Sequence, residues 1–342
     1  MNVIVLGKNI HSTSGYYHTD WLEALSNEFN VFFYGPNFPL YNKKDDITDV
    51  ISKSSLGNKL DGIIVSSNWD NEITNNTVDP HPNIKLKNLK NIFKVYFINK
   101  EYKKLDLRFR YIKENNFDLV CSVLKNSKEW EKKIGRPVFH LPFGVNLARF
   151  KYHSNKKYDF GFTGSVHKNY INSRYNVKNW IFNKDHINKK SNLNFFGLEN
   201  KQILSSKYNK LKIYWDEYGS RNLIGKSRLP VGKKYAKFLS LFKGFLNTKS
   251  AMGIVNTRFY ELMSSKSLIV CPKDENNYDD LLYDGVNCVF FDNYNDFNNI
   301  LLNKLQDEEY VSRITNNAFK KISNHTYESR IKKLRNYIVG NI

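Results

Sequence analysis

At 342 residues the chain is long enough for two cores, since single cores stop growing at about 250–300 residues. Its 41% hydrophobic content is that of a soluble globular protein, and no apolar run is long enough to form a membrane-spanning helix. The formal net charge of +20, from 53 basic against 33 acidic residues, favours a polyanionic partner: nucleic acid, anionic lipid headgroups or a phosphorylated substrate. The abundance of Lys, Asn, Ile, Phe and Tyr, which AT-rich codons encode, is an alternative source of part of the basicity.

The N-terminus, Met1 to Gly7, lacks the basic region and cleavage site of a signal peptide and reads as a first strand. Cys121, Cys271 and Cys288 each sit in an apolar segment without metal-ligand spacing, as expected of buried thiols in a reducing compartment. Val3–Leu6 is expected as a strand, followed by a polar loop, Gly7 to Tyr17, that holds Gly15. A helix carrying Trp21, Leu22, Leu25 and Phe29 comes next, then a strand over Asn30–Tyr34 that Gly35-Pro36 ends. Further strands are read at Asp61–Ser67, Phe93–Ile98, Phe117–Ser122 and Val138–Leu141. Short apolar strands separated by helical stretches indicate an α/β unit with a parallel sheet covered on both faces.

Such sheets bind ligands beyond the carboxyl ends of their strands. The loops there, with the start of the first helix, hold His11, His18, Asp20, Asp70, Lys100 and Glu101, and each carboxylate or histidine among them is either a general base or a solvated cap. Gly7 and Gly15 are too far apart for a dinucleotide fingerprint, and Gly225-Lys226-Ser227 lacks the upstream glycine of a phosphate loop. Nicotinamide and flavin chemistry are therefore disfavoured.

The turn Leu141 to Asn146 and the polar Tyr152 to Lys157 place a domain boundary near residue 147, giving domains over 1–146 and 147–325 and a closing helix over 326–342. In the second half strands are read at Tyr158–Thr163, Leu193–Phe196, Leu211–Trp215, Phe245–Leu246, Ile269–Cys271 and Val289–Phe291. The stretch Tyr235 to Met252 interleaves lysines with phenylalanines, and also fits a helix with a basic face turned to solvent or to a membrane. The last forty residues read as helix, basic and amphipathic over Tyr327–Ile338. Gly164-Ser165 after a strand is either a phosphate cradle, with Arg174 supplying positive charge, or an ordinary strand-to-helix turn. Arg258 and Glu261, three residues apart at a helix start, are either an intrahelical pair or a grip on a nucleotide. In the second case the arginine takes diphosphate oxygens and the carboxylate takes ribose hydroxyls.

Four segments in order carry a resemblance: Leu141 to Asn146, Tyr158 to Ser165, Thr257 to Met263 and Asp284 to Cys288. Over roughly residues 95 to 300 the series resembles glycosyltransferases of the GT-B fold, closest to the group-1 transferases that include the CgeB-like spore-maturation proteins. The resemblance implies two Rossmann-like domains facing across a cleft, with the last helix crossing back to the N-terminal domain. It implies a nucleotide-diphosphate sugar as donor, UDP-linked first and GDP-linked second, with no cofactor and no metal. The donor would be held by Gly15, Gly164, Ser165, Arg174, Arg258 and Glu261, with Glu261 on the ribose. The acceptor, a glycan or lipid-linked sugar of surface polysaccharide, would meet His11, His18 and Lys100, with one of Asp20, Asp70 or Glu101 as base. A cytoplasmic enzyme touching an anionic membrane from its inner face follows from that role.

Retaining members carry a second glutamate eight positions before the ribose-binding one, where this chain has Gly253. The Arg–x–x–Glu pair with its Met-Ser sequel also resembles the phage DNA β-glucosyltransferase, and Glu101 would stand near the place of its catalytic aspartate. That similarity implies modified duplex DNA as the acceptor. A nucleotide-sugar 2-epimerase and a basic nucleic-acid-binding protein are the remaining alternatives.

Overall fold

The computed structural model describes residues 1–9, 17–66, 69, 81–98, 101–152, 154–166, 172–182, 204–217 and 233–342. These divide into two compact units, one of residues 1–144, 252–254 and 325–342, the other of residues 145–251 and 255–324. Each is a parallel sheet flanked by helices. The sequence-expected strand Leu193–Phe196 lies outside the described residues.

The first unit contains β1 (Asn2–Leu6), β2 (Asn30–Tyr34), β3 (Gly62–Val65), β4 (Phe93–Phe97), β5 (Leu119–Ser122) and β6 (Val138–His140), all parallel in the order β2-β1-β3-β4-β5-β6. Side chains of a strand alternate between faces, and here both faces are apolar. Ile4, Leu6, Ile63, Val65 and Val120 pack with Val50 of α2 (Ile47–Lys53), with Tyr111 and Ile112 of α3 (Leu105–Glu114) and with Trp130 of α4 (Glu129–Ile134). On the other face Val3, Val5, Ile64, Val95 and Cys121 pack with Trp21 and Leu25 of α1 (Tyr17–Glu28). The closing helix joins this second layer through Tyr327, Ile331, Leu334 and Ile338, and the Trp21 and Tyr327 rings meet edge-on at 4.7 Å. Its first turn is fixed twice. The Thr326 hydroxyl accepts from Ser329 N at 3.1 Å, and Arg330 Nε donates to the Phe143 carbonyl at 3.4 Å.

The second unit contains β7 (Tyr158–Gly164), β8 (Ile213–Glu217), β9 (Phe242–Leu246), β10 (Leu268–Pro272) and β11 (Val289–Phe291), again all parallel, in the order β11-β10-β9-β7-β8. Strand β7 thus lies between β8 and β9, and the chain leaves it toward one neighbour and returns on the other side to the next. That reversal is the switch point at which open α/β sheets leave a crevice for ligands. Helices α5 (Asn172–Ile181), α6 (Lys233–Leu239), α7 (Thr257–Ser264), α8 (Tyr294–Asn299) and α9 (Glu308–Ile322) also belong to this unit.

The reading of Tyr235–Met252 as one basic helix is corrected. Helix α6 stops at Leu239 and β9 begins at Phe242. Phe242, Phe245 and Leu246 are fully buried, and Gly244 lets the Leu305 side chain lie against the strand. Between them Lys243 reaches outward to Glu308 at 2.6 Å. The lysines that suggested a solvated helical face are therefore partly the outward positions of a central strand, and burial of the aromatics outweighs local propensity. Phe242 packs against Tyr158, Tyr214, Phe238 and Phe245 with ring separations of 5.0–5.6 Å. Phe242→Ala should destabilise the protein by about 3–5 kcal/mol in denaturant unfolding, because no neighbour can fill the space the ring leaves.

At the end of β6, burial pushes the His140 imidazole down to about 4, with the Arg330 and Lys125 charges adding and a backbone hydrogen bond at Val123 opposing. The unfolded chain binds this proton below pH about 6.5 and the folded chain does not until about pH 4. Stability contributed by the neutral ring is therefore present above pH 6.5 and lost as pH falls toward 4, by at most about 3 kcal/mol. His140→Phe should flatten that part of the fall in unfolding midpoint between pH 7 and 4.5.

Candidate functional site

The switch point of the second sheet gathers most of the sequence-predicted donor residues. Strand β7 ends at Gly164, whose φ of +153° lies at the edge of the range side chains tolerate, and a Cβ there would press on Phe162 at 3.1 Å and Arg174 Nη1 at 3.5 Å. The absence of a side chain keeps the backbone of Gly164-Ser165 open to close approach. Two arginines flank this turn.

Arg174, in the first turn of α5, donates from Nε to Thr248 Oγ1 at 2.7 Å and from Nη1 to the Ser165 carbonyl at 3.0 Å. Its guanidinium lies over the Phe162 ring at 5.6 Å. Arg258, in the first turn of α7, donates from Nη1 to the Thr163 carbonyl and from Nε to the Tyr235 hydroxyl at 3.1 Å. It lies over the Phe245 ring at 5.8 Å. Each cation is thus fixed by two directed bonds and an aromatic face, a pre-organised arrangement for a planar fork.

The link between the two arginines is Asn256, the N-cap of α7. Its Oδ1 accepts from Arg258 N at 3.2 Å and Asn247 Nδ2 at 3.1 Å. Its Nδ2 donates to the Thr248 carbonyl at 2.7 Å and Ser250 Oγ at 3.2 Å. One side chain therefore ties the exit of β9 to the start of α7, and Thr248 passes the tie on to Arg174. The far end of α7 is held as well. Lys156 Nζ donates to the Ser265 and Lys266 carbonyls at 3.3 and 2.9 Å and approaches Ser267 Oγ at 3.4 Å. Burial, with the Lys266 charge, pushes that ammonium down to about 7, while the carbonyls at the helix C-terminus pull the other way. Glu261 lies one turn after Arg258 on the same helix, half-buried.

Among the base and acceptor candidates, His18 and Asp20 are buried on α1. Glu101 follows β4 and is 1% exposed. Its Oε1 accepts from Ser122 Oγ at 3.0 Å and Val123 N at 3.1 Å. Burial raises its pKa, and these hydrogen bonds and the Arg108 charge oppose the rise. Gly15, His11, Asp70 and Lys100 lie outside the described residues.

Sequence reasoning missed Asn256, Asn247, Thr248, Thr163 and Tyr235. Asparagine directly before a helix is a cap signal and could have drawn notice to Asn256. Asn247 and Thr248 follow the strand whose extent was under-read. The role of Thr163 rests on its carbonyl, which no residue type announces. Position 253 also gains a physical reason. Met252 and Gly253 both have left-handed backbone, φ 58° and 73°, so a glutamate at 253 would sit in strained geometry.

Residues 185–336 match the sequence profile of a family described as glycosyl transferase-like. No curated protein matches the chain. Among solved structures, Anabaena HepE in complex with UDP-glucose superposes with a TM-score of 0.58 at 10% identity, covering 99% of this chain and 100% of that one. Sucrose-phosphate synthase from Thermosynechococcus elongatus superposes with a TM-score of 0.54 at 8% identity, with full coverage of both chains (100% and 100%). A glycosyltransferase from Rickettsia africae superposes with a TM-score of 0.54 at 9% identity, covering 100% and 99%. These structural likenesses bear on the fold, two parallel α/β units of Rossmann type, and the profile bears on the family. Residues 185–336 are thus similar to a glycosyl transferase-like family, and the chain as a whole shares the GT-B fold of two Rossmann-like units.

Proposed function

We propose that the chain transfers a sugar from a nucleoside-diphosphate sugar, UDP-linked first and GDP-linked second, to a glycan or lipid-linked acceptor in surface polysaccharide assembly. The observation that carries this reading is the pair of fixed arginines, Arg174 and Arg258, on either side of the Gly164-Ser165 turn at the switch point of a parallel sheet. Two guanidiniums, an open backbone and the amino end of α7 form a surface complementary to a diphosphate. Glu261, one turn along α7, would take the ribose hydroxyls. That HepE was solved with UDP-glucose, on the same fold, supports the uridine donor.

In the transfer, the acceptor hydroxyl oxygen bonds to the anomeric carbon as the bond from that carbon to the diphosphate oxygen breaks. The electron pair of the broken bond stays on the diphosphate, and the arginines stabilise that charge as it grows, with the helix dipole adding. No metal is assigned a part. The hydroxyl proton passes to a carboxylate, Asp20, Asp70 or Glu101. Burial raises the pKa of Glu101, and a carboxylate with a raised pKa is a better proton acceptor than one of ordinary acidity. The place of work would be the cytoplasm, with the basic surface resting on anionic lipid.

Arg258→Ala and Glu261→Ala should each weaken UDP binding, Arg258→Ala by about tenfold or more given a charged hydrogen bond's worth of about 1.5–3 kcal/mol. Unfolding midpoints should stay near wild type. Calorimetry with UDP and GDP checks this, and unchanged affinity for both nucleotides in both variants would remove the donor-site assignment.

A further inference from the structure

The two sheets are wound alike. In each, the chain passes from a first strand to an edge strand and returns to pair on the first strand's other side, β1 to β2 to β3 in one and β7 to β8 to β9 in the other. The residues that follow the returning strands are therefore equivalent, Asn247 after β9 and Ser66 after β3. Asn247 is tied, its Nδ2 donating to Asn256 Oδ1 at 3.1 Å. Ser66 is not tied in this way. Its backbone is engaged, the N–H donating to the Leu6 carbonyl at 2.9 Å and the carbonyl accepting from Trp69 N at 3.3 Å. Its hydroxyl is buried, the residue being 2% exposed, and has no hydrogen-bond partner among the described residues. A buried hydroxyl left unpaired is costly and rare in folded proteins.

Side chains alternate along a strand, which puts Ser66 on the face of Ile64, the face that packs on Trp21 of α1. One residue beyond the Leu6–Val65 and Val65–Tyr96 pairs, the neighbours of Ser66 in its row are Gly7 past β1 and Phe97 on β4. Phe97 meets the Trp21 ring edge-on at 5.8 Å, and Gly7 adds no side chain to the row. The unpaired hydroxyl thus stands between an aromatic side chain and bare backbone, at the switch point of the first sheet, where open α/β sheets take ligands.

We infer that the Ser66 hydroxyl binds a hydroxyl group of a neutral sugar, the acceptor of the transfer. This rests on the glycosyl-transfer reading above and names the chemical class and a contact of its acceptor. A serine hydroxyl gives one hydrogen bond and takes up to two, the same capacity as the alcohol groups of a sugar. The apolar C–H face of a sugar ring matches the aromatic side of the row. Helix α1 brings a buried carboxyl, Asp20, in its first turn, which can accept from sugar hydroxyls and would repel a phosphate. The free chain carries the cost of the unpaired hydroxyl, and the bound sugar relieves it.

Saturation-transfer NMR on the full chain, with and without UDP, tests this. The neutral probes are methyl glucoside, methyl galactoside and methyl N-acetylglucosaminide, and the charged probe is glucose-1-phosphate. At least one neutral glycoside should bind, and Ser66→Ala should weaken it about tenfold while UDP affinity stays within about twofold of wild type. The unfolding midpoint of the ligand-free variant should stay level or rise, because alanine removes an unpaired buried group, whereas a hydroxyl with a purely structural role would lower it when lost. Binding of glucose-1-phosphate alone, glycoside affinity untouched by Ser66→Ala, or a lowered midpoint would each overturn the assignment. Failure of every glycoside to bind while UDP still binds overturns the role of Ser66 alone. Failure of UDP to bind the unaltered chain overturns the glycosyl-transfer reading with it.

Discussion

The side chain of Asn256 is the constraint on which the crevice at the switch point of the second sheet depends. It caps α7, accepts from Asn247, and donates to the Thr248 carbonyl and Ser250. Arg258 leaves the helix within the first turn after this cap and is steadied by the Thr163 carbonyl and Tyr235. Arg174 reaches the same network through the Thr248 hydroxyl. Asparagine suits the position because it combines an acceptor for the helix N-terminus with two donors for the strand exit, where aspartate would supply only acceptors. Alanine there would forfeit the cap, which alone is worth about 1 kcal/mol, and would release both arginines from a common frame. Cations fixed before a ligand arrives need no ordering on binding, which is where such sites gain affinity.

Much of the fold was legible from local pattern, because parallel strands buried on both faces are short apolar runs. Strand β2 at Asn30–Tyr34 and strand β11 at Val289–Phe291 coincide with their expected bounds for that reason. Strand β9 was under-read because Lys243 and Gly244 interrupt its apolar character. The glycine is there to admit Leu305, a tertiary fact without a local sign. In the site, Arg174, Arg258, Glu261 and Gly164-Ser165 were visible as residue types after strands or at helix starts. What joins them was not. The bond from Arg174 to Thr248 spans 74 residues, and that from Arg258 to Thr163 spans 95. Such pairings follow from strand order, which periodicity does not encode.

The left-handed backbone at Met252 and Gly253 bears on the chemistry. The paired-glutamate pattern of retaining relatives needs a side chain at 253, and this turn is shaped for glycine. In the proposed donor site Arg174 and Arg258 would take the leaving diphosphate and Glu261 the ribose, without a second carboxylate eight residues earlier. Glu101, the proposed base, is held by Ser122 and Val123 at the carboxyl end of β5. Burial raises its pKa, against the hydrogen bonds and the Arg108 charge that oppose the rise.

Amide hydrogen exchange with and without UDP tests the central claim most directly, because it maps the ligand on the unmodified chain. Added protection is expected at Gly164-Ser165, at Thr248 and across the first turn of α7 from Thr257 to Glu261. Protection confined to other segments, or none at saturating UDP, would contradict it.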